Sequence, residues 1–206
     1  MNLLILGATG RVGGRVAALA LADGHRVTAL VRSPGGVGPP HERLTVVEGN
    51  AMNRSDVRRA LQGCDAVVSA LGTDGTTTLS TAIPLLAEIM TAAGVRRIVT
   101  IGTAGILDSR LEPGVLRYRS SESRRSTTFA AEEHERAFLT LQASALDWTI
   151  VCPPYMPDGA RTDAYRTERD RLPEGGTVVS AADVAAFAYA QVGSAAFLRT
   201  RVGIAY

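Results

Sequence analysis

The stretch Met1–Val16, MNLLILGATGRVGGRV, decides the fold. Leu3 to Leu6 are apolar without alternation, which suits a strand buried on both faces of a parallel sheet. Gly7, Gly10 and Gly13 then follow in a G-x-x-G-x-x-G pattern that breaks the strand and opens a helix. Each glycine has its own mechanical use if a dinucleotide sits at this turn. Gly7 takes the chain sharply off the strand, Gly10 admits close backbone approach to a pyrophosphate, and Gly13 lets the helix pack tightly on the sheet. The pyrophosphate would face bare N–H groups at the positive end of the helix. Strand-to-helix turns also use glycine for purely structural reasons, so the rest of the chain has to agree.

Working outward, apolar runs and helical segments alternate along the chain. A helix is expected over Val12–Ala22, then strands at Arg26–Val31 and Leu44–Gly49 on either side of a glycine- and proline-rich loop. A short helix over Ser55–Leu61 with Ser55 as its N-cap, a strand at Asp65–Leu71 and a helix over residues 79–94 closed by Gly94 continue the alternation. A fifth strand ends near Ile101. Residues Thr103 to Thr128 fit no regular element for most of their length, and a loop this long is commonly functional. A helix over Phe129–Ala143, a sixth strand in WTIVC, a mobile section at 158–175, a helix over Asp183–Val192 capped by Ser180 and a terminal VGIAY strand complete the pattern. Such alternation implies an α/β doubly wound parallel sheet in a single domain, with substrate-side segments near 103–128 and 153–178. Ligands of that architecture bind beyond the carboxyl ends of the strands. The glycine turn, Arg32, Gly72, Gly102 and Pro153 all fall at such ends.

Composition narrows the function. The 206 residues carry a formal net charge of +2, with both signs mixed along the chain, which argues against a nucleic-acid partner. The apolar start is broken by glycine after a few residues, and the late apolar stretch is interrupted by Asp183, Gln191 and Gly193. Neither a signal peptide nor a membrane span is expected, and the expected location is cytoplasmic. Cys64 and Cys152 lack metal-ligand or CxxC spacing and read as structural thiols, so no metal is expected. All 22 basic residues are arginine. Lysine chemistry, including Schiff bases and the phosphate-binding P-loop, is thereby excluded.

The second strand ends in Val31-Arg32-Ser33, which offers a cation and a hydroxyl where NAD-binding chains place an acid. NADP is therefore expected over NAD. Arg11, inside the glycine turn, would stack on the adenine or share the phosphate. The alternative is that both arginines are solvated surface groups.

GATGRVGGRV, LVRS, EGNAMN, VVSALG, GVRRIVTIGTAG, LDWTIVCPP and SAADVAAFA, in this order, resemble the atypical short-chain dehydrogenase/reductase-like NAD(P)-binding proteins over nearly the whole chain. Within that superfamily the chain looks most like the biliverdin-IXβ reductase/flavin reductase group, with NmrA-like proteins as close relatives. The resemblance implies a Rossmann-type fold with a small C-terminal substrate lobe. It implies a dinucleotide held by Gly7, Thr9, Gly10, Arg11, Val12, Gly13, Arg32, Asn50, Ala51, Ala70, Leu71, Gly72 and Pro153. His134, in AEEHERAF, falls at the group's active-site histidine. Tyr155 stands where that group has a histidine after Pro-Pro, Asn50 where an aspartate is commoner, and Thr103 in place of a serine near the nicotinamide.

Ordinary short-chain dehydrogenases use a Tyr-x-x-x-Lys pair, which a chain without lysine cannot form; the flavin reductase group lacks it too. Thr103, His134 and Tyr155 are the candidate reactive residues. Thr103 would donate to the acceptor or carboxamide, or merely cap a turn. His134 would position the nicotinamide ribose or protonate product, or sit solvated on its helix. Tyr155 would be aimed into the cleft by the rigid Pro-Pro turn, or would lid the core. Arg117, Arg119, Arg124 and Arg125 would attract an anionic substrate, or remain solvated in a flexible loop that closes over it. The expected activity is NADPH-dependent reduction of a planar conjugated acceptor by a monomer or dimer. The rival is an NADP(H)-binding sensor that signals to a protein partner without turnover. An epimerase or isomerase is weakened by the missing acid/base pair.

Overall fold

The computed structural model describes residues 1–123 and 126–206; Arg124 and Arg125 lie outside the described residues. The chain begins β1 (Asn2–Leu6), α1 (Gly13–Ala22), β2 (Arg26–Val31), β3 (Leu44–Glu48), α2 (Arg54–Leu61), β4 (Ala66–Ser69) and α3 (Thr78–Ala92). It continues β5 (Arg97–Ile101), α4 (Phe129–Ala143), β6 (Asp147–Cys152), β7 (Arg166–Arg169), α5 (Ala181–Val192) and β8 (Thr200–Ala205). Among the described residues the strands form one eight-stranded sheet in the order β3-β2-β1-β4-β5-β6-β8-β7, parallel except for β7 against β8. This is the doubly wound Rossmann-type sheet that the alternation of elements implies.

The unbroken apolar run of β1 follows from having a core on each side. Successive strand residues point to opposite faces. Leu4 and Leu6 enter one core with α2, α3 and α4, while Leu3 and Ile5 enter the other with α1 and α5. All four are fully buried. The chain runs from β1 to β2 and β3 on one side and then crosses to β4 on the other. The sheet therefore reverses direction between β1 and β4, and a crevice opens there beyond the carboxyl ends.

Three local expectations need correction. The cap of α2 is Asn53, not Ser55: the Asn53 side chain accepts from the N–H groups of Ser55 and Asp56, so the helix begins one residue before Ser55. The section 158–175, expected to be mobile, carries the edge strand β7 and is anchored by Asp183, which accepts from Thr162 and Asp163. The stretch Thr103–Thr128 is not a free loop in its described part. It holds two short 3-10 turns, Ala104–Ile106 and Arg117–Arg119, and a bridge between Asp108 and Leu116. Ser180 caps α5 as expected, accepting from the N–H of Asp183. No helix among the described residues is long and apolar enough to cross a membrane.

Candidate active site

The glycine turn packs against the exit of β4. Gly7 has φ +77, and a Cβ added to it would lie 2.5 Å from the Ala70 carbonyl oxygen; one added to Gly13 would overlap the Gly7 carbonyl. Only glycine satisfies both the conformation and the closeness. The result is a cavity of about 210 Å³ at the β1/β4 switch point. Gly7, Thr9 and Gly10 form one wall, Arg32 and the segment Gly49–Met52 a second, and Ala70–Gly72 with Asp74 and Thr78 a third.

Several features suit this cleft to an anionic dinucleotide. Val12, at the N-cap of α1, has no capping side chain, and the first turn holds no acid. Gly10 N–H donates to the Gly7 carbonyl and Gly14 N–H to the Gly10 carbonyl, so the N–H groups of Arg11, Val12 and Gly13 are the ones left for an external acceptor. The Asn50 carbonyl oxygen accepts from Met52 N–H at 2.9 Å, so the amide NH₂ is the group left to address a ligand. Arg32 is exposed at the mouth and pairs with Asp74 at 3.3 Å.

A second cavity of about 250 Å³ opens further along the same edge, beyond β5 and β6. Thr103, Gly105, Tyr118, Ala131 and Tyr155 are among its lining residues. The N–H of Ala104 donates to the Pro153 carbonyl at 2.8 Å and ties the two strand ends together. Thr103 Oγ1 accepts a long bond from Gly105 N–H at 3.4 Å, so its own proton is free to point into the cavity. Tyr155 is fixed through its backbone carbonyl, which accepts from Val179 N–H, while its side chain stands 68% exposed on the rim. Tyr118 is buried and is among the lining residues, with the Arg119 guanidinium lying over its ring. Its hydroxyl donates to Glu135 at 2.6 Å and accepts from Arg119. Burial and the Glu135 bond push its pKa up, against the Arg119 cation.

With this geometry, a family model described as NAD(P)H-binding matches residues 7–195. The chain belongs to the NAD(P)H-binding family. A solved structure of a provisionally named exported protein from Burkholderia pseudomallei shares 30% identity and a TM-score of 0.85, covering 100% of each chain. A provisionally named epimerase from Bacteroides thetaiotaomicron shares 27% at TM-score 0.86, over 100% of this chain and 96% of its own. An anaerobilin reductase from Escherichia coli O157:H7 shares 25% at TM-score 0.82, over 100% of this chain and 97% of its own.

In this NAD(P)H-binding chain, nine of the proposed cofactor residues line the first cavity: Gly7, Thr9, Gly10, Arg32, Asn50, Ala51, Ala70, Leu71 and Gly72. Val12 and Gly13 lie beneath the turn, buried, and Pro153 is buried at the end of β6. Arg11 points elsewhere. Its guanidinium donates to the Met156 carbonyl at 2.8 Å and clamps the glycine turn to the segment after Pro153. His134 lies on α4 one turn beyond Ala130 and Ala131, outside the lining of the second cavity. Burial outweighs the nearby Glu133 carboxylate and pushes its pKa down to about 4, so it is neutral at pH 7. Arg117 pairs with Glu122 and Arg119 with Glu135, so both cations are already matched. Among the described residues no metal-ligand cluster occurs. Tyr118 escaped the sequence reading, although it is the one aromatic residue between Thr103 and Thr128. Asp74, in an Asp-Gly pair, escaped it as well.

Proposed function

We propose that this chain is an NADPH-dependent reductase that passes a hydride to a planar conjugated acceptor: a flavin, a biliverdin-like tetrapyrrole or a quinone. One observation carries the reading. The glycine cleft and the Thr103–Tyr155 cavity follow one another along the carboxyl edge of a single sheet, which suits a dinucleotide lying across the switch point with an acceptor at its reactive end. The likeness to a tetrapyrrole reductase supports the acceptor class.

The nicotinamide, when bound, supplies the hydride. The chain supplies position. The N–H groups of Arg11, Val12 and Gly13 hold the pyrophosphate, Arg32 holds the 2′-phosphate, and the Asn50 amide addresses the adenine. Thr103 donates a hydrogen bond at the second cavity, and the exposed Tyr155 ring on the rim offers a flat face to a conjugated ring. His134 lies outside the cavity lining and is neutral at pH 7, so the proton for the reduced acceptor comes from solvent. A reaction of this kind asks mainly for orientation and exclusion of water.

The test is NADPH oxidation against FMN, riboflavin, biliverdin and a set of quinones, with NADPH affinity measured on the same sample. Turnover of one acceptor is the expected result. Tight NADPH binding without turnover of any acceptor would overturn the reductase and favour the sensor. Arg32→Ala should weaken NADPH about tenfold more than NADH, the worth of a charge-assisted hydrogen bond. Equal losses would remove Arg32 from the 2′-phosphate.

A further inference from the structure

The end of β2 carries no acid, yet the ribose end of the cleft does. Residues Thr73–Thr76 form a turn closed by Thr76 N–H donating to the Thr73 carbonyl at 2.7 Å. Asp74 and Gly75 both have positive φ, +48 and +67, the pattern of a type I′ turn. The turn reaches over the mouth of the cleft and brings the Asp74 carboxylate to 3.3 Å from the Arg32 guanidinium. Their side chains are 60% and 80% exposed, and both residues line the cavity with Gly7, Asn50 and Gly72. A cation and an anion from two different connections therefore meet where the ribose would lie.

From this juxtaposition we infer that Asp74 is a specificity-determining residue, which opposes a 2′-phosphate at Arg32 and accepts hydrogen bonds from the hydroxyls of an unphosphorylated ribose. The inference rests on the dinucleotide reading of the cleft. A 2′-phosphate brings up to two negative charges and has to share Arg32 with a carboxylate that already neutralises it. Free ribose hydroxyls are donors, and an ionised carboxylate is an acceptor only. Asp74 thus narrows the gap between NADPH and NADH that Arg32 alone would open. The competing explanation is local: a type I′ turn favours Asp or Asn at its first central position whatever binds nearby. Asparagine satisfies the turn equally and removes the charge, so one substitution separates the two.

The experiment is equilibrium binding of NADPH and of NADH, followed by nicotinamide fluorescence without any acceptor. The wild type is compared with Asp74→Asn and Asp74→Gly; glycine also tolerates positive φ. Both variants should raise the preference for NADPH over NADH about fivefold, the upper range for one exposed charge pair. In an Arg32→Ala background the same change should have a smaller effect, since the competition for that cation is gone. An unchanged preference in two folded variants that still bind dinucleotide would overturn the inference alone. A wild type that binds neither dinucleotide would overturn the inference together with the reading of the cleft.

Discussion

Gly7→Ala tests the geometry on which the cleft depends. At φ +77 an L-residue suffers the left-handed clash of its Cβ with the carbonyl, roughly 1–2 kcal/mol. The new Cβ would also lie 2.5 Å from the Ala70 oxygen and 2.8 Å from its carbonyl carbon. These are backbone atoms at the end of a fully buried strand, so the relief is movement of the β4 exit, an overpacking cost of about 1–3 kcal/mol. The two together come to about 3 kcal/mol. For a chain of this size that lowers Tm by about 6–12 °C. Because Ala70 and Leu71 line the cavity, the shift should also weaken NADPH binding. Thermal unfolding by circular dichroism and equilibrium NADPH binding read the two effects. Gly35→Ala is the control: nothing lies within 4 Å of its Cβ, and a surface change of this kind stays within about 0.5 kcal/mol. A Gly7→Ala protein with the Tm and NADPH affinity of the Gly35→Ala control would refute the close-approach reasoning.

Three further changes probe the supports of the site. Burial of Asp183 works against its charge, but bonds from Tyr206, Asp163 and Thr162 outweigh it and hold its pKa down to about 2. Its stabilisation, about 2 kcal/mol, is present above the unfolded value of 3.8 and is lost as pH falls toward 2. Urea unfolding should show Asp183→Asn destabilised at neutral pH, with the difference vanishing in acid. His134 is charged only when protonated, and its pKa is depressed by burial from 6.5 to about 4, so between those values the folded state holds it neutral while the unfolded state binds a proton. Stability should fall as pH drops from 6.5 to 4, and His134→Gln should flatten that slope; an equal slope in both proteins would show that the histidine is not desolvated. Arg201, buried against the Phe138 ring, donates to the Ile106 carbonyl, Asp108 and Asp170, and Arg201→Met should cost about 3 kcal/mol and make residues 104–116 sensitive to protease. Unchanged cleavage would mean that the cation does not pin that segment.

What was legible in the sequence follows from how far apart the interacting residues are. The apolar run Leu3–Leu6 reports two cores because every residue of a doubly covered strand must be apolar, and the following glycines report a turn whose constraints lie within a few residues. Ser180 was readable as a cap for the same reason: its partner is Asp183, three residues on. The Ser55 cap was misplaced because two capping residue types, Asn53 and Ser55, stand two positions apart, and it is the extended backbone and accepting side chain of Asn53 that start the helix. Strand β7 was missed because its sequence, RTER, is polar and its residues are largely exposed on an edge; it is a strand through its pairing with β8. The approach of Asp74 to Arg32 spans 42 residues and is set by the crossover from β3 to β4, which no local pattern encodes.

The same distinction bears on how an acceptor would reach the second cavity. The length and polarity of Thr103–Thr128 suggested a lid, since polar residues without periodicity look solvated when read one at a time. In the structure those polar residues are each other's partners. Glu122 accepts from Ser109, from the N–H of Arg110 and from Arg117, while Glu112 accepts from Ser121. Arg110 reaches Glu168 and the Leu172 carbonyl, and the N–H of Asp108 donates to Asp170, so the segment is fastened to β7 and the turn after it. To open as a lid, the described part would have to break these bonds together and expose Ile106 and Leu107, both fully buried. An acceptor would therefore meet a wall already built in its described part, with Tyr155, Thr127 and Thr128 among the exposed lining residues. Under the proposed reductase reading, recognition at that end would rest on the shape of a preformed pocket, which lets flat, rigid acceptors bind with little ordering cost.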